Sequence, residues 1–138
     1  MSETKELMKE LSHRRDRARM KRVKEDFGEL MERYMREKGF TSGTLAAASG
    51  LSDRTVRRMK GDDLYEPTRE MVIAVCVGMK LTFDEASLLI RKSAFRLRDD
   101  SPVDAVYVEI LESEGEHTVE EWNRALEMLG AKLLGGGR

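Results

Sequence analysis

Three arginines, Arg54, Arg57 and Arg58, crowd into the stretch Asp53–Met59, and Arg54 and Arg58 stand four residues apart, so a helix would project both from one face. A guanidinium fork matches the paired acceptors of a phosphate or of guanine O6 and N7. Other candidate chemistry is sparse. His13 and His117 are far apart in the chain, and neither has a Cys or His partner at metal-ligand spacing. The lone Cys76 lies in the apolar run 71–77, the pattern of a buried, reduced thiol. No His-Glu-x-x-His pair, phosphate-loop glycine pattern or nucleophile elbow occurs, and the carboxylates are spread as helix-surface charge. These residues predict no enzyme, no metal, no cofactor and no evident small-molecule ligand.

What must position the arginines is predicted by Leu45, Ala46, Gly50, Leu51, Val56 and Met59. Two short helices, at about 42–49 and 53–60, need a small residue where they cross, which Ala46 supplies. The tight turn between them calls for positive φ, which Gly50 adopts without a Cβ clash. Leu45, Leu51, Val56 and Met59 then face inward, and Ser52 is placed to cap the second helix. This is the pattern of a helix-turn-helix spanning Thr41 to Gly61.

At these residues the sequence resembles the Cro and phage-repressor-like (xenobiotic-response-element) transcriptional regulators. The resemblance runs from about Phe27 to Ala86, nearly half the chain, and is carried by Leu45-Ala-Ala-Ala-Ser-Gly-Leu-Ser-Asp-Arg-Thr-Val56, then Gly61, Pro67 and the helix ending at Gly78. It implies a five-helix bundle whose second motif helix lies in the DNA major groove. By position it makes Ser52, Asp53, Arg54 and Arg58 base-facing, and Ser42, Thr55, Arg57 and Lys60 phosphate contacts. Ser42 stands where the family often has a phosphate-bonding Gln, and Gly43 weakens the first motif helix. Asp53 brings a negative charge to that face, either to accept from cytosine N4 or to pair with a neighbouring arginine. Tyr107, Ile110, Leu111 and Glu121-Trp-Asn123 resemble an accessory helical pair found in some such regulators.

The rest of the chain reads as helix throughout. With 138 residues, 40% hydrophobic and 37% charged, and only two prolines, an all-α chain with one core and long solvated faces is expected. Residues 3–24 predict a helix with Leu7, Met8 and Leu11 on one side. Phe27, Leu30, Met31, Tyr34 and Met35 continue the helical period to Gly39, and whether 3–38 is one helix or two is open, Gly28 weakening its middle without breaking it. After the loop Asp62–Pro67, Met71, Val72, Val75 and Met79 share one face of the next helix. Thr82–Glu85 and Thr118–Glu121 fit the capping box, and Ser101-Pro102 fits a cap with proline at the first helical position. The helices so opened carry Ala86, Leu89, Ile90 and Ser93; Val103, Val106, Tyr107, Ile110 and Leu111; and Val119, Trp122, Ala125, Leu126 and Leu129. Each stripe is expected to face a core, with Trp122 in it and the methionines as filler, while the tail from Gly135 to Arg138 is expected to be disordered.

The expected organisation is a basic helical extension at 1–24, the helix-turn-helix bundle at 25–98 and an accessory helical pair at 99–138. The net charge of −1 conceals an asymmetry. His13 to Lys24 holds seven Lys or Arg against Asp16, whereas Asp99 to Glu121 holds nine acids and no Lys or Arg. The basic run is either a solvated helix face or a phosphate-clamping arm. The acidic segment is a solvent face, a region kept off DNA, or a surface for a basic partner. Apolar runs are too short to span a bilayer and the start is charged rather than signal-like, so a cytoplasmic chain is expected. The sequence thus predicts a regulator that binds double-stranded DNA as a homodimer, since one recognition helix reads only a few base pairs. The alternative is a non-catalytic interaction module, antitoxin-like or a regulatory segment of a larger protein, with the helix-turn-helix as scaffold.

Overall fold

Side-chain caps punctuate the chain. The computed structural model describes residues 2–135 along the backbone, with side chains at 3–15 and 25–135. Among the described residues there are eight helices and no strand: α1 (Ser2–Lys24), α2 (Phe27–Lys38), α3 (Ser42–Ser49), α4 (Asp53–Gly61), α5 (Arg69–Gly78), α6 (Phe83–Lys92), α7 (Pro102–Glu112) and α8 (Val119–Met128). From α2 onward each helix opens on a polar side chain that accepts from a first-turn amide: Asp26, Thr41, Ser52, Thr68, Thr82, Ser101 and Thr118. Each such cap satisfies an otherwise orphaned N–H and stabilises its helix by about 1 kcal/mol.

Residues 3–38 form two helices, broken at Glu25–Asp26 just past the expected end of the first at 24, and Gly28 lies inside the second. Asp26 accepts from the Glu29 amide at 2.8 Å and the Glu29 carboxylate accepts from the Asp26 amide at 3.3 Å, a complete capping box. Gly28 serves packing instead. A Cβ there would lie 2.4 Å from the Lys60 carbonyl oxygen, so the missing side chain is what lets α2 approach the end of α4.

The core is one continuous cluster from Leu30 on α2 to Leu134. α5 is its axis, packed by α3, α6, α7 and α8, while α2 bridges α4 and α6. The single apolar face expected on α5 is too narrow a description: Ile73, Ala74, Cys76 and Val77 are buried along with Val72, Val75 and Met79, and Met71 is only half-buried. Helices on several sides require a helix apolar nearly all round. Burial pushes the Cys76 thiol up to about 12, leaving it protonated and inert.

The stripes on the last two helices are only partly covered. Tyr107, Ile110, Leu111, Val119 and Leu126 are buried, but Val103, Ala125 and Leu129 are exposed and Trp122 is half-buried. Met31, Met35, Met59 and Met79 do fill the core, whereas Met8 and Met128 are exposed. Leu7, Met8 and Leu11 of α1 are exposed as well.

The acidic segment is not wholly solvent-facing. Asp104 is buried, accepting from the Arg98 amide at 2.8 Å and ion-paired to Arg69 at 3.0 Å. Beside it the buried Glu70 accepts from the Tyr107 hydroxyl at 3.1 Å and pairs with Lys132 at 3.2 Å. The segment after α8 returns over this cluster. Leu134 is clasped by Asn123, whose amide both donates to its carbonyl and accepts from its N–H, and the Gly135 amide donates to Glu70 O at 3.1 Å. The expected disordered tail therefore begins fixed, and residues 136–138 lie outside the described residues. No described helix is long and apolar enough to cross a membrane.

Candidate nucleic-acid interface

The geometry around α4 starts in α3. Thr41 and Thr44 exchange hydrogen bonds that cap α3, and the buried Ser49 hydroxyl donates to Leu45 O at 2.7 Å near its end. Gly50 follows at φ +76°, its amide donating to Ala46 O at 3.0 Å, so the chain reverses within a residue or two. Leu45, Ala46 and Leu51 are buried around this turn. Ser42 lies half-buried at the first turn of α3.

Ser52 opens α4. Its hydroxyl accepts from the Thr55 amide at 3.0 Å and donates to the Thr55 hydroxyl at 2.8 Å, so both side chains are tied into the cap while Ser52 stays exposed. Val56 and Met59 are buried and fix which side of α4 faces the core. At 100° per residue Arg54 lies nearly opposite that pair, with Arg57 and Arg58 on either side of it. All three arginines are exposed, and Lys60 is half-buried near the end of the helix.

The three guanidinium groups are held differently. Arg57 Nη2 sits 2.8 Å from Asp53 Oδ2, so of the two roles open to Asp53 the free chain adopts the pairing with arginine. Arg58 stacks on Tyr65, its Cζ 4.4 Å from the ring centroid, with Nε 3.8 Å from Asp62 Oδ2. Tyr65 is itself half-buried, its hydroxyl 3.4 Å from Met71 Sδ. Arg54 has no ion pair or side-chain hydrogen bond among the described residues. The surface thus offers one uncommitted guanidinium, one oriented on an aromatic face, and one neutralised by a carboxylate that a phosphate can replace.

Sequence reasoning missed Asp62 and Tyr65. The spacing of Arg58 and Asp62 was a readable signal, because residues four apart on a helix are neighbours. Tyr65 gave none, since its place depends on the turn at Asp62, where the Tyr65 amide donates to Asp62 O. Of the basic run His13–Lys24, side chains beyond Arg15 lie outside the described residues, so the arm it predicts is not placed. His13 and His117 are both exposed, and His117 meets Trp122 edge to face with ring centroids 5.2 Å apart. Among the described residues no cluster of His, Cys, Asp or Glu is arranged to hold a metal ion. Compared with protein-family models, with curated proteins and with solved structures, the chain matches none.

Proposed function

We propose that this chain is a non-catalytic, cytoplasmic transcriptional regulator that binds double-stranded DNA as a homodimer. On this reading α2 to α6 are a repressor-like five-helix bundle, α3 and α4 its helix-turn-helix, and α7 and α8 accessory helices. The observation that carries it is the outer face of α4: Arg54, Arg57 and Arg58 turned away from buried Val56 and Met59, on a helix joined to α3 through the left-handed turn at Gly50. A short helix so presented fits the major groove, with its first residues at base edges and flanking cations at phosphates. Arg54 and Arg58 read bases, while Arg57 exchanges Asp53 for a phosphate oxygen.

A second reading is favoured by the two carboxylates beside the arginines. Asp53 and Asp62 offset much of the local positive charge, which suits an interaction module whose α4 binds protein. Selection of bound sites from a random duplex pool, followed by affinity against salt, separates the two. A DNA reader enriches a site and loses affinity steeply with salt, because each phosphate contact releases counterions. No enriched site and no salt-dependent duplex binding would leave the protein-binding reading.

A further inference from the structure

The α7–α8 face carries apolar surface that the chain does not cover. Two adjoining grooves, of about 350 and 570 Å³, run along it and share Val106, Leu126 and Leu129. Val103 is 54% and Leu129 73% exposed at its edges. A contiguous apolar patch beside polar residues marks a contact surface rather than a chance exposure.

A second uncovered apolar surface is on α1, where Leu7, Met8 and Leu11 are 60%, 64% and 68% exposed. Residues at i, i+1 and i+4 form a ridge of the kind that seats an amphipathic helix in a groove. The junction from α1 to α2 is two residues long and held at both: Glu25 is paired with Arg33 at 2.9 Å, and Asp26 caps α2. That junction sets how α1 leaves α2, and in this arrangement the ridge finds no cover among the described residues.

Charge matches the two surfaces. Downstream of the ridge the sequence carries seven Lys or Arg with one acid, and the segment 99–121, which forms the α7 wall of the groove, carries nine acids with no Lys or Arg. The two cations that line the larger groove, Arg69 and Lys132, are paired with Asp104 and Glu70. Of those acids Asp99, Glu109, Glu112, Glu116 and Glu120 are exposed and make no ion pair among the described residues, and Glu109 lines the groove. Opposite fields of this kind steer and register a contact.

We propose that α1 of each copy docks its Leu7–Met8–Leu11 ridge in the α7–α8 groove of a second copy, forming a reciprocal dimer. In a two-fold arrangement each chain gives a helix and a groove, so the modest apolar area of one ridge is buried twice. This rests on the homodimeric part of the reading above, but not on DNA. All measurements are made on the full chain without DNA, so its failure leaves the DNA reading intact.

Light scattering and sedimentation give the dimer and its Kd. Leu11→Glu and Leu129→Glu are each expected to weaken it roughly tenfold or more, the contact being lost twice, with unchanged circular dichroism because both residues are exposed in the single chain. Leu7→Cys chains oxidised together with Ala125→Cys chains are expected to give a mixed disulfide, while buried Cys76 stays unreactive. A monomer at all concentrations overturns the proposal, as does a dimer that both glutamates leave intact. So does a Leu7→Cys, Ala125→Cys double variant that links only within one chain, which would place α1 on its own groove.

Discussion

The Arg58 guanidinium carbon lies 4.4 Å from the centroid of the Tyr65 ring, stacking the α4 side chain on a residue of the loop that follows. Stacking restricts a long side chain before any ligand arrives, so less entropy is lost when its fork meets a planar acceptor pair. Tyr65→Leu keeps an apolar contact and removes the π face. It is expected to cost about 0.5–1 kcal/mol, roughly two- to fivefold in affinity for the preferred duplex, with little change on random duplex. Fluorescence anisotropy with both duplexes checks this. Equal loss on both would make Tyr65 a fold residue rather than a guide for Arg58.

On the proposed DNA-binding reading, Arg54 and Arg57 separate base reading from phosphate binding on one helix. Arg54→Ala is expected to cost about 1–3 kcal/mol on the preferred site and to relax base choice there. Arg57→Ala is expected to weaken all duplexes alike and to shallow the salt slope by about one contact. Arg57 must first leave Asp53, so Asp53→Asn should strengthen random-duplex binding. Titrations of the three variants on specific and random duplex, across salt, test the assignment. If Arg54→Ala lowers both affinities in proportion, Arg54 is a phosphate contact.

The placement of α4 depends on two small residues on its neighbours. Gly28→Ala puts a Cβ 2.4 Å from the Lys60 carbonyl oxygen, and backbone has to move because a peptide oxygen cannot rotate away. Ala46→Leu adds three carbons at an 8% exposed site where α3 meets its neighbours. Each is expected to destabilise by about 1–3 kcal/mol in urea or thermal melts. Gly28→Ala carries a further signature, a loss of duplex affinity in the folded fraction, because it displaces α4. Wild-type melts for both variants would mean that these helices do not approach as closely as the contacts describe.

The helix boundaries were legible because capping is local. Ser101, Thr82 and Thr118 each announce a helix through a side chain that reaches only three residues on. Asp26-x-x-Glu29 carries the same signature and opens α2 just past residue 24, where the sequence ends its first helix; Gly28 by itself leaves one helix or two open. The α5 run from Met71 to Val77 is apolar without interruption, which signals burial on more than one side, whereas its helical period marks only one of them. Val103 and Leu129 fit their stripes, but a stripe shows that a helix has an apolar face and not what covers it. On α4 the order of buried and charged residues was readable. The holding of Arg58 by Tyr65 was not, because it depends on how the seven-residue loop from α4 to α5 turns back. Buried Asp104 and Glu70 were likewise invisible, since their partners Arg69, Tyr107 and Lys132 come together only in three dimensions.

A last prediction concerns acid, through Glu85. Its carboxylate accepts from the Thr82 amide at 2.9 Å, closing the α6 capping box, and meets Lys38 Nζ at 3.0 Å, which ties the end of α2 to the start of α6. Partial desolvation works to raise its pKa, but the hydrogen bond from the Thr82 backbone and the charge and hydrogen bond of Lys38 outweigh it, so the carboxyl lies below its ordinary value. A carboxyl lowered on folding gives stability that is fully present above the unfolded-state pKa and is lost as pH falls through the lower folded-state value. Glu85→Gln keeps an acceptor for the Thr82 amide but removes the charge. It should therefore be less stable than wild type at neutral pH, and the difference should shrink towards zero in the acid range below the ordinary glutamate pKa. Urea midpoints for both proteins across that range measure it. A gap that stayed constant down to the lowest pH would mean that the side chain acts through packing and the cap hydrogen bond alone, with no contribution from its charge opposite Lys38.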